Sequence, residues 1–451
     1  MNPAIFREYD IRGKYPDDLN PSVAHKLGLS IGTYLKRNRA KRISLGRDCR
    51  KSSPELREAL LKGLLESGVD VTDIGMVPTP LLYFSLFNLD MDGGVQITGS
   101  HNPSDYNGFK ICLGKATIHG REVQKIREIL ELGHFDNGNG SYGQRDVIAP
   151  YLEYMKENIS PGDIGRKVVV DAGNGVGGLV APEVYGGMGI ELETLFCEPD
   201  GNFPNHHPDP TIPGNLESLI REVKSKSADL GIAFDGDADR IGVVDREGEI
   251  VWGDQLMIIF SREILKRYPG AKILGEVKCS QTLYEDIKKH GGIPLMWKAG
   301  HSLMKSKMAE EGALFGGEMS GHIFFADRFF GYDDAVYAGA RLLEILTRTP
   351  RTVRELLSGV PHMESTPEIR IDFPDNKKFK AVEILAEQFK KEYDVIDLDG
   401  VRVLFKGGWG LVRASNTQPV IVLRFEALDR ARLENIRKIF MDRLKDISAE
   451  I

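Results

Sequence analysis

Arg42-Ile43-Ser44-Leu45-Gly46 and, shortly after it, Pro54-Glu55-Leu56-Arg57-Glu58-Ala59-Leu60-Leu61-Lys62-Gly63-Leu64-Leu65-Glu66-Ser67 set the fold class. The first is a strand-like apolar run. The second places Leu56, Leu60, Leu61, Leu64 and Leu65 on one helix face. Residues 167–170 and 272–277 are strand-like in the same way, and each leads through a turn or polar loop into helix-compatible sequence. Strands alternating with amphipathic helices predict α/β layers with parallel pairing. The three segments read as loose structural repeats.

Residues 362–451 follow another pattern. Strand candidates fall at 368–373, 401–405 and 420–425; Phe379, Val382, Leu385 and Phe389 mark one helix face, and a second helix covers 431–444. That order predicts a small antiparallel sheet with two helices, a separate α+β domain. The length of 451 residues suggests about three domains at ~150 each, with four allowed. Breaks near Tyr151, Gly253 and Pro361 divide the chain into 1–150, 151–252, 253–361 and 362–451.

Composition narrows the functional classes. With 41% hydrophobic and 28% charged residues the chain reads as an ordinary globular protein, and no apolar run approaches the ~20 residues of a membrane span. A net charge of −7 argues against a nucleic-acid or anionic-membrane partner. An anionic substrate must therefore be met by locally concentrated Arg, Lys and backbone N–H groups. Arg7, Glu8 and Asp10 interrupt the N-terminus before any apolar signal region forms. Cys49, Cys112, Cys197 and Cys279 form no C-x-x-C pair and are expected to be reduced thiols of a cytoplasmic protein.

Two motifs carry the chemistry. Thr98-Gly99-Ser100-His101-Asn102-Pro103 offers a hydroxyl in a tight turn, with Lys110 further on; a cap or turn hydroxyl is the plainer reading. Asp235-Gly236-Asp237-Ala238-Asp239-Arg240 follows an apolar run at 230–234. Its three carboxylates share a face if extended and converge through Gly236 if turned. So close together they raise one another's pKa unless a cation sits among them, and oxygen-only ligation with few protein groups suits Mg²⁺ completed by a phosphate. A solvated acidic loop is the alternative. Together the motifs suggest a serine that carries a phosphoryl group and a hard cation that neutralises it.

Further loops fit an anionic sugar. Arg413-Ala414-Ser415-Asn416-Thr417, after Gly407-Gly408-Trp409-Gly410, reads as a phosphate nest of guanidinium, hydroxyls, amide and turn N–H groups. Gly317-Glu318-Met319-Ser320-Gly321-His322 suits vicinal hydroxyls, although a plain loop has the same composition. Gly173-Asn174-Gly175-Val176-Gly177-Gly178 matches the dinucleotide fingerprint. Such a match arises readily in a chain with 49 glycines and carries no assignment. His206-His207 between prolines reads as a rigid loop rather than a metal site.

TGSHNPSDYNGFK, DGDADR, GEMSGH and RASNT occur in the order found in the α-D-phosphohexomutase superfamily, with FREYDIRG near the start and GNFPNHHPDP in the middle. The chain resembles that superfamily over essentially its whole length, and GEMSGH most resembles its bacterial phosphomannomutase/phosphoglucomutase branch. Phosphoglucosamine mutases usually differ where Met319 stands.

The resemblance implies three similar α/β domains with mixed sheets and a TBP-like fourth around a central cleft. It implies that Ser100 is carried as phosphoserine and binds Mg²⁺ together with Asp235, Asp237 and Asp239. It further implies that Arg12, His101, Lys110 and Arg240 surround the reacting phosphoryl group. Glu318, Ser320 and His322 would contact sugar hydroxyls, with Tyr9, Lys278 and His301 as further substrate contacts. Arg413, Ser415, Asn416 and Thr417 would hold the non-reacting phosphate. The implied activity is exchange of a phosphoryl group between the 1- and 6-hydroxyls of mannose or glucose phosphates through a hexose 1,6-bisphosphate, by a cytoplasmic monomer or homodimer. Lys110 or His101 is expected to act as base, Lys110 with a depressed pKa. Rival readings are a phosphoglucosamine mutase, an aspartyl-phosphate phosphatase, a nicotinamide oxidoreductase and a non-catalytic sugar-phosphate-binding protein.

Overall fold

The computed structural model describes residues 2–415 and 419–450. Its first three sheets share one arrangement. In the first, Arg42–Arg47 lies parallel between Asp70–Met76 and Gly93–Ile97, and Tyr106–Leu113 returns antiparallel beside Gly93–Ile97. In the second, Lys167–Asp171 lies parallel between Glu191–Leu195 and Leu230–Phe234, and Ile241–Asp245 returns antiparallel. In the third, Lys272–Glu276 lies between Ile293–Trp297 and Phe315–Gly317, and Ile323–Phe325 returns antiparallel. The loose repeats of the sequence are thus a shared topology with mixed sheets.

Helix Ser53–Glu66 packs on helix Pro21–Arg37 with Leu56, Leu60 and Leu64 fully buried. Each such leucine is worth about 1.5–3 kcal/mol of burial. Leu61 and Leu65 flank that stripe and are half-buried. One apolar core runs from helix Thr79–Asn88 of the first unit through the second and third sheets, so these units are packed together rather than strung on linkers.

The fourth unit has its own core. Its antiparallel sheet contains Ile369–Asp372, Asp394–Ile396, Val401–Phe405, Gly408–Ala414 and Val420–Ala427, with helices Lys378–Lys390 and Arg430–Glu450. One expectation is corrected here. Phe379, in the helix's first turn, is 55% exposed, so of the four expected face residues only Val382, Leu385 and Phe389 are buried, alongside Ala381 and Ala386. Gly408-Trp409-Gly410 starts the strand that leads to Arg413. Trp409 is buried under the Arg402 guanidinium, 3.7 Å from the ring centre, and its indole N–H donates to Glu426.

That unit grips the loop after Lys272–Glu276. Arg402 Nη1 donates to the carbonyls of Val277 and Cys279 at 2.7 and 2.8 Å, Ser280 Oγ donates to Glu426 at 2.9 Å, and Arg424 donates to the Lys278 carbonyl. No helix among the described residues is long and apolar enough to cross a membrane.

Candidate active site

In all three α/β units the third parallel strand and its antiparallel return are joined by a hairpin loop, and these three loops carry Ser100, Asp235 to Asp239, and Glu318 to His322. Loops at the carboxyl ends of parallel strands are where α/β sheets build sites. Repeating the topology three times aims three such loops at one place.

Ser100 is 3% exposed and adopts φ +48, a left-handed conformation that a non-glycine residue holds only when its surroundings impose it. Its N–H donates to Thr98 Oγ1 at 2.8 Å. Its hydroxyl donates to Asp235 Oδ2 at 2.8 Å and lies 3.2 Å from His101 Nδ1. Gly236 allows this approach: a Cβ there would meet the Ser100 carbonyl at 2.5 Å.

The three aspartates are wholly buried, with ligand oxygens within 4.8 Å of one another. They are not equivalent. Burial, and then its two neighbours, push Asp235 well above the usual carboxylate range. Burial works the same way on Asp237 and Asp239, but Lys110 overrides it and lowers both. Lys110 Nζ donates to Asp237 Oδ2 at 2.8 Å and to Asp239 Oδ2, and Thr79 Oγ1 donates to Asp237 at 2.6 Å. The expected depressed pKa of Lys110 is therefore corrected: burial favours depression, yet two carboxylates raise it. Asp237 Oδ1 is buried without a hydrogen-bond donor among the described residues, and Asp239 Oδ1 is met by His322 Nε2 at 3.2 Å. Convergent, under-satisfied carboxylate oxygens fit a hard divalent cation.

His322 joins the third loop to the second. Its Nε2 lies 3.2 Å from Asp239 Oδ1, and its Nδ1 lies 2.7 Å from Glu318 Oε2 and 3.1 Å from Ser320 Oγ. Glu318 also accepts the Gly300 N–H at 2.6 Å. Burial opposes ionisation of Glu318, but His322, Lys278 and Gly300 hold its pKa at about 2. His301 stacks on His322 with ring centres 5.3 Å apart, and Tyr9 meets His301 edge-on while donating to the Ala299 carbonyl at 2.9 Å. Lys278 Nζ pairs with Glu368 of the fourth unit at 3.1 Å.

Arg413 Nε donates to Asp399 Oδ2 at 3.0 Å, and the same oxygen accepts the Ala299 N–H at 3.2 Å, which ties the fourth unit to the Glu318 side of the site. Ser415 is buried and donates its N–H to the Val420 carbonyl at 3.0 Å. Asn416 and Thr417 lie outside the described residues. Arg12 donates to Asn102 Oδ1 at 2.8 Å and pairs with Asp10. Arg240 lies 3.4 Å from His322 Nε2, and its N–H donates to Asp235 Oδ1 at 3.1 Å. The Ser100, Asp235, Glu318 and Arg413 groups thus adjoin one another across four units.

The glycine fingerprint at 173–178 has a packing explanation. A Cβ at Gly175 would strike the Gly236 backbone and one at Gly178 the Cys197 carbonyl, so these glycines let the second unit's first loop back the aspartate loop. His206 Nε2 bonds Asp171 at 2.9 Å. Sequence reasoning missed Arg50, which holds the Ser100 loop, and Thr79, which bonds Asp237. The polar run Arg47-Asp48-Cys49-Arg50 at a strand's carboxyl end was the available signal for the first.

Three α/β units that present a serine, a carboxylate triad and a Glu–Ser–His loop to one site, with a fourth unit supplying an arginine, define a phosphohexomutase, an isomerase. The chain belongs to the phosphoglucomutase/phosphomannomutase family. Models of its alpha/beta/alpha domains I, II and III match residues 3–136, 149–248 and 252–363, and that of its C-terminal domain matches residues 368–443. The chain is 46% identical to a phosphomannomutase/phosphoglucomutase of Pseudomonas aeruginosa over 99% of its length and 97% of the relative. It is 46% identical to a phosphoglucomutase of Neisseria gonorrhoeae, covering 97% and 95%. The crystal structure of a phosphoglucomutase/phosphomannomutase family protein from Burkholderia thailandensis superposes with a TM-score of 0.93 at 44% identity, covering 99% and 98%.

Proposed function

We propose that the enzyme interconverts the 1- and 6-phosphates of mannose, glucose or both through a phosphorylated Ser100. The observation that carries this is the Ser100 Oγ to Asp235 Oδ2 hydrogen bond of 2.8 Å, which brings the nucleophile-bearing loop onto the carboxylate triad. In the first half-reaction the Oγ–P bond of phosphoserine breaks and a bond forms from phosphorus to the free sugar hydroxyl, whose proton passes to a base; in the second a sugar O–P bond breaks, the Oγ–P bond re-forms and the proton returns to the sugar oxygen. His101, with Nδ1 at 3.2 Å from Ser100 Oγ, is the base this geometry favours. The resulting hexose 1,6-bisphosphate reorients and returns its other phosphoryl group to Ser100.

Asp235, Asp237 and Asp239 would hold Mg²⁺, which when bound neutralises charge on the transferring phosphoryl group. Arg12 and Arg240 add positive charge beside Ser100. Glu318, Ser320 and His322 would take sugar hydroxyls, aided by Tyr9, Lys278 and His301. Arg413 and Ser415, with Asn416 and Thr417, would take the non-reacting phosphate in either orientation. The reacting groups are almost wholly buried, so substrate entry requires the fourth unit to move on the segment near Pro361. The division at 1–150, 151–252, 253–361 and 362–451, a cytoplasmic location and a monomeric or homodimeric state belong to the same proposal.

Ser100→Ala is the decisive variant. It should retain the fold and lose turnover of mannose and glucose phosphates, whereas near-normal activity would sink the mechanism. Assaying glucosamine phosphate beside the two hexoses separates the phosphoglucosamine reading. Acid-stable phosphate on Ser100, rather than labile acyl phosphate on Asp235, separates the phosphatase reading. Arg413→Ala should raise KM strongly, and an unchanged KM would remove the proposed phosphate contact.

A further inference from the structure

A cavity of about 810 Å³ lies where the carboxyl ends of helices Gly253–Arg267 and Gln281–Lys289 meet helix Ala335–Thr347 and the segment that follows it. The helices run counter to the strands of the third sheet. Their carboxyl ends therefore mark the sheet end opposite Lys278 and Glu318, and the cavity shares no residue with the active site.

Its lining is strongly cationic in a chain of net charge −7. Eight Arg and Lys side chains face three carboxylates, or four when Asp286 behind Arg262 is counted. Basic residues in a helix's last turn commonly offset the helix dipole, which accounts for Lys266, Arg267 and Lys289. It does not account for Arg341 in mid-helix, Arg328 in a loop or Arg351 beyond the helix.

The cations differ in their pairing. Arg262 is fixed to Asp286 at 2.6 and 2.8 Å, Arg341 to Asp327 by two bonds of 2.9 Å, and Arg348 to Glu344 at 3.1 Å. Arg267, Lys289 and Arg351 are exposed and have no ion-pair partner among the described residues. Guanidinium groups held by carboxylates beside unpaired cations on one cavity wall suit phosphate oxygens. No Phe, Tyr or Trp ring lines the cavity, and its one imidazole, His290, is tied through Nδ1 to the Asp286 carbonyl at 2.9 Å.

The geometry points to a second anion site here, for a compact molecule bearing several phosphate groups, bound independently of the catalytic substrate. Its wall includes Leu356 and Ser358, whose carbonyls accept from Arg262 at 2.7 and 3.2 Å, so occupancy bears on the segment leading to the fourth unit.

Titration calorimetry of the full chain with inorganic triphosphate tests this. Ionic strength is held constant, magnesium is omitted and saturating glucose 1,6-bisphosphate fills the catalytic site. One saturable binding event is expected. The combined variant Arg267→Ala, Lys289→Ala, Arg351→Ala should weaken it by about tenfold or more, while its mutase activity without triphosphate stays within about twofold of wild type. Absence of saturable binding, unchanged affinity in the variant, or loss of binding when the bisphosphate is added would each overturn the proposal. So would tighter, variant-sensitive binding of a phosphopeptide or an RNA oligomer than of triphosphate, because the occupant would then be a macromolecule.

Discussion

Arg50 Nη2 donates to the carbonyl of Ser100 at 2.8 Å, fifty residues further along the chain. The same guanidinium donates to the carbonyls of Asn102 at 2.6 Å, Tyr106 at 2.9 Å and Pro103, and Asp48 lies 3.2 Å from its Nε. A 1% exposed planar group with fixed donors therefore gathers four carbonyls of one loop. It provides surroundings that hold Ser100 in its left-handed conformation.

Arg50→Lys keeps the charge but replaces a planar fork with one compact donor group. Loss of loop shape should lower kcat about 10²-fold, as misplacing a reacting group by about an ångström does, with KM changing much less. Steady-state kinetics decide it. A kcat equal to wild type would mean that the Ser100 loop does not depend on this grip.

Gly236→Ala probes the approach of the two loops from the other side. A methyl group would meet the Ser100 carbonyl, so the loops must separate. Overpacking of this kind costs about 1–3 kcal/mol of stability. Activity should fall about 10²-fold although no reacting atom has been changed. Kinetics and thermal unfolding together check it; unaltered activity would show that the Ser100 to Asp235 contact tolerates separation.

The α/β class and the motifs were legible because short apolar runs, a leucine face and carboxylates before an arginine each carry a local pattern. The shared topology was less so, because topology is a property of strand pairing and not of residue identity. Trp409 and Phe379 show the same limit in reverse. Nothing local in the sequence around Trp409 showed that Arg402 and Glu426, from neighbouring strands, bury its ring. A phenylalanine in phase with a helix face can still lie in its exposed first turn. The cation beside the aspartates illustrates the point at the site. Lys110 stands more than a hundred residues before them and reaches them because the Ser100 and Asp235 hairpins are stacked.

Divalent-metal binding should stabilise the protein. The buried Asp237 Oδ1 lacks a donor among the described residues, Asp239 Oδ1 has His322 Nε2 at 3.2 Å, and Asp235 is pushed toward protonation by burial and its neighbours. A cation that satisfies these oxygens in the native state alone adds about 2.7 kcal/mol at a concentration a hundred times its Kd. Thermal unfolding with magnesium and with chelator measures this, and Asp237→Asn should reduce the difference. Identical midpoints with and without magnesium would count against a site at the triad.

Asp334 supplies a pH dependence that does not involve the reacting groups. It is 1% exposed and caps helix Ala335–Thr347 by accepting the Tyr337 N–H at 2.9 Å, and Tyr151 Oη donates to it at 2.9 Å. Burial raises its pKa to about 7, against the opposing effect of those hydrogen bonds. A carboxyl whose native pKa lies above its ordinary value of 3.8 binds its proton more tightly folded than unfolded. Its contribution is therefore favourable at low pH and is lost as pH rises from about 4 to about 7, with no further change above that. One pKa unit corresponds to about 1.4 kcal/mol, so the loss between pH 5 and pH 8 should exceed that amount. Asparagine keeps an acceptor for the Tyr337 N–H but cannot ionise. Denaturant unfolding of wild type and Asp334→Asn at both pH values cancels the titrations they share. The wild type should lose more stability than the variant on going to pH 8, and equal losses would place the Asp334 pKa near its ordinary value.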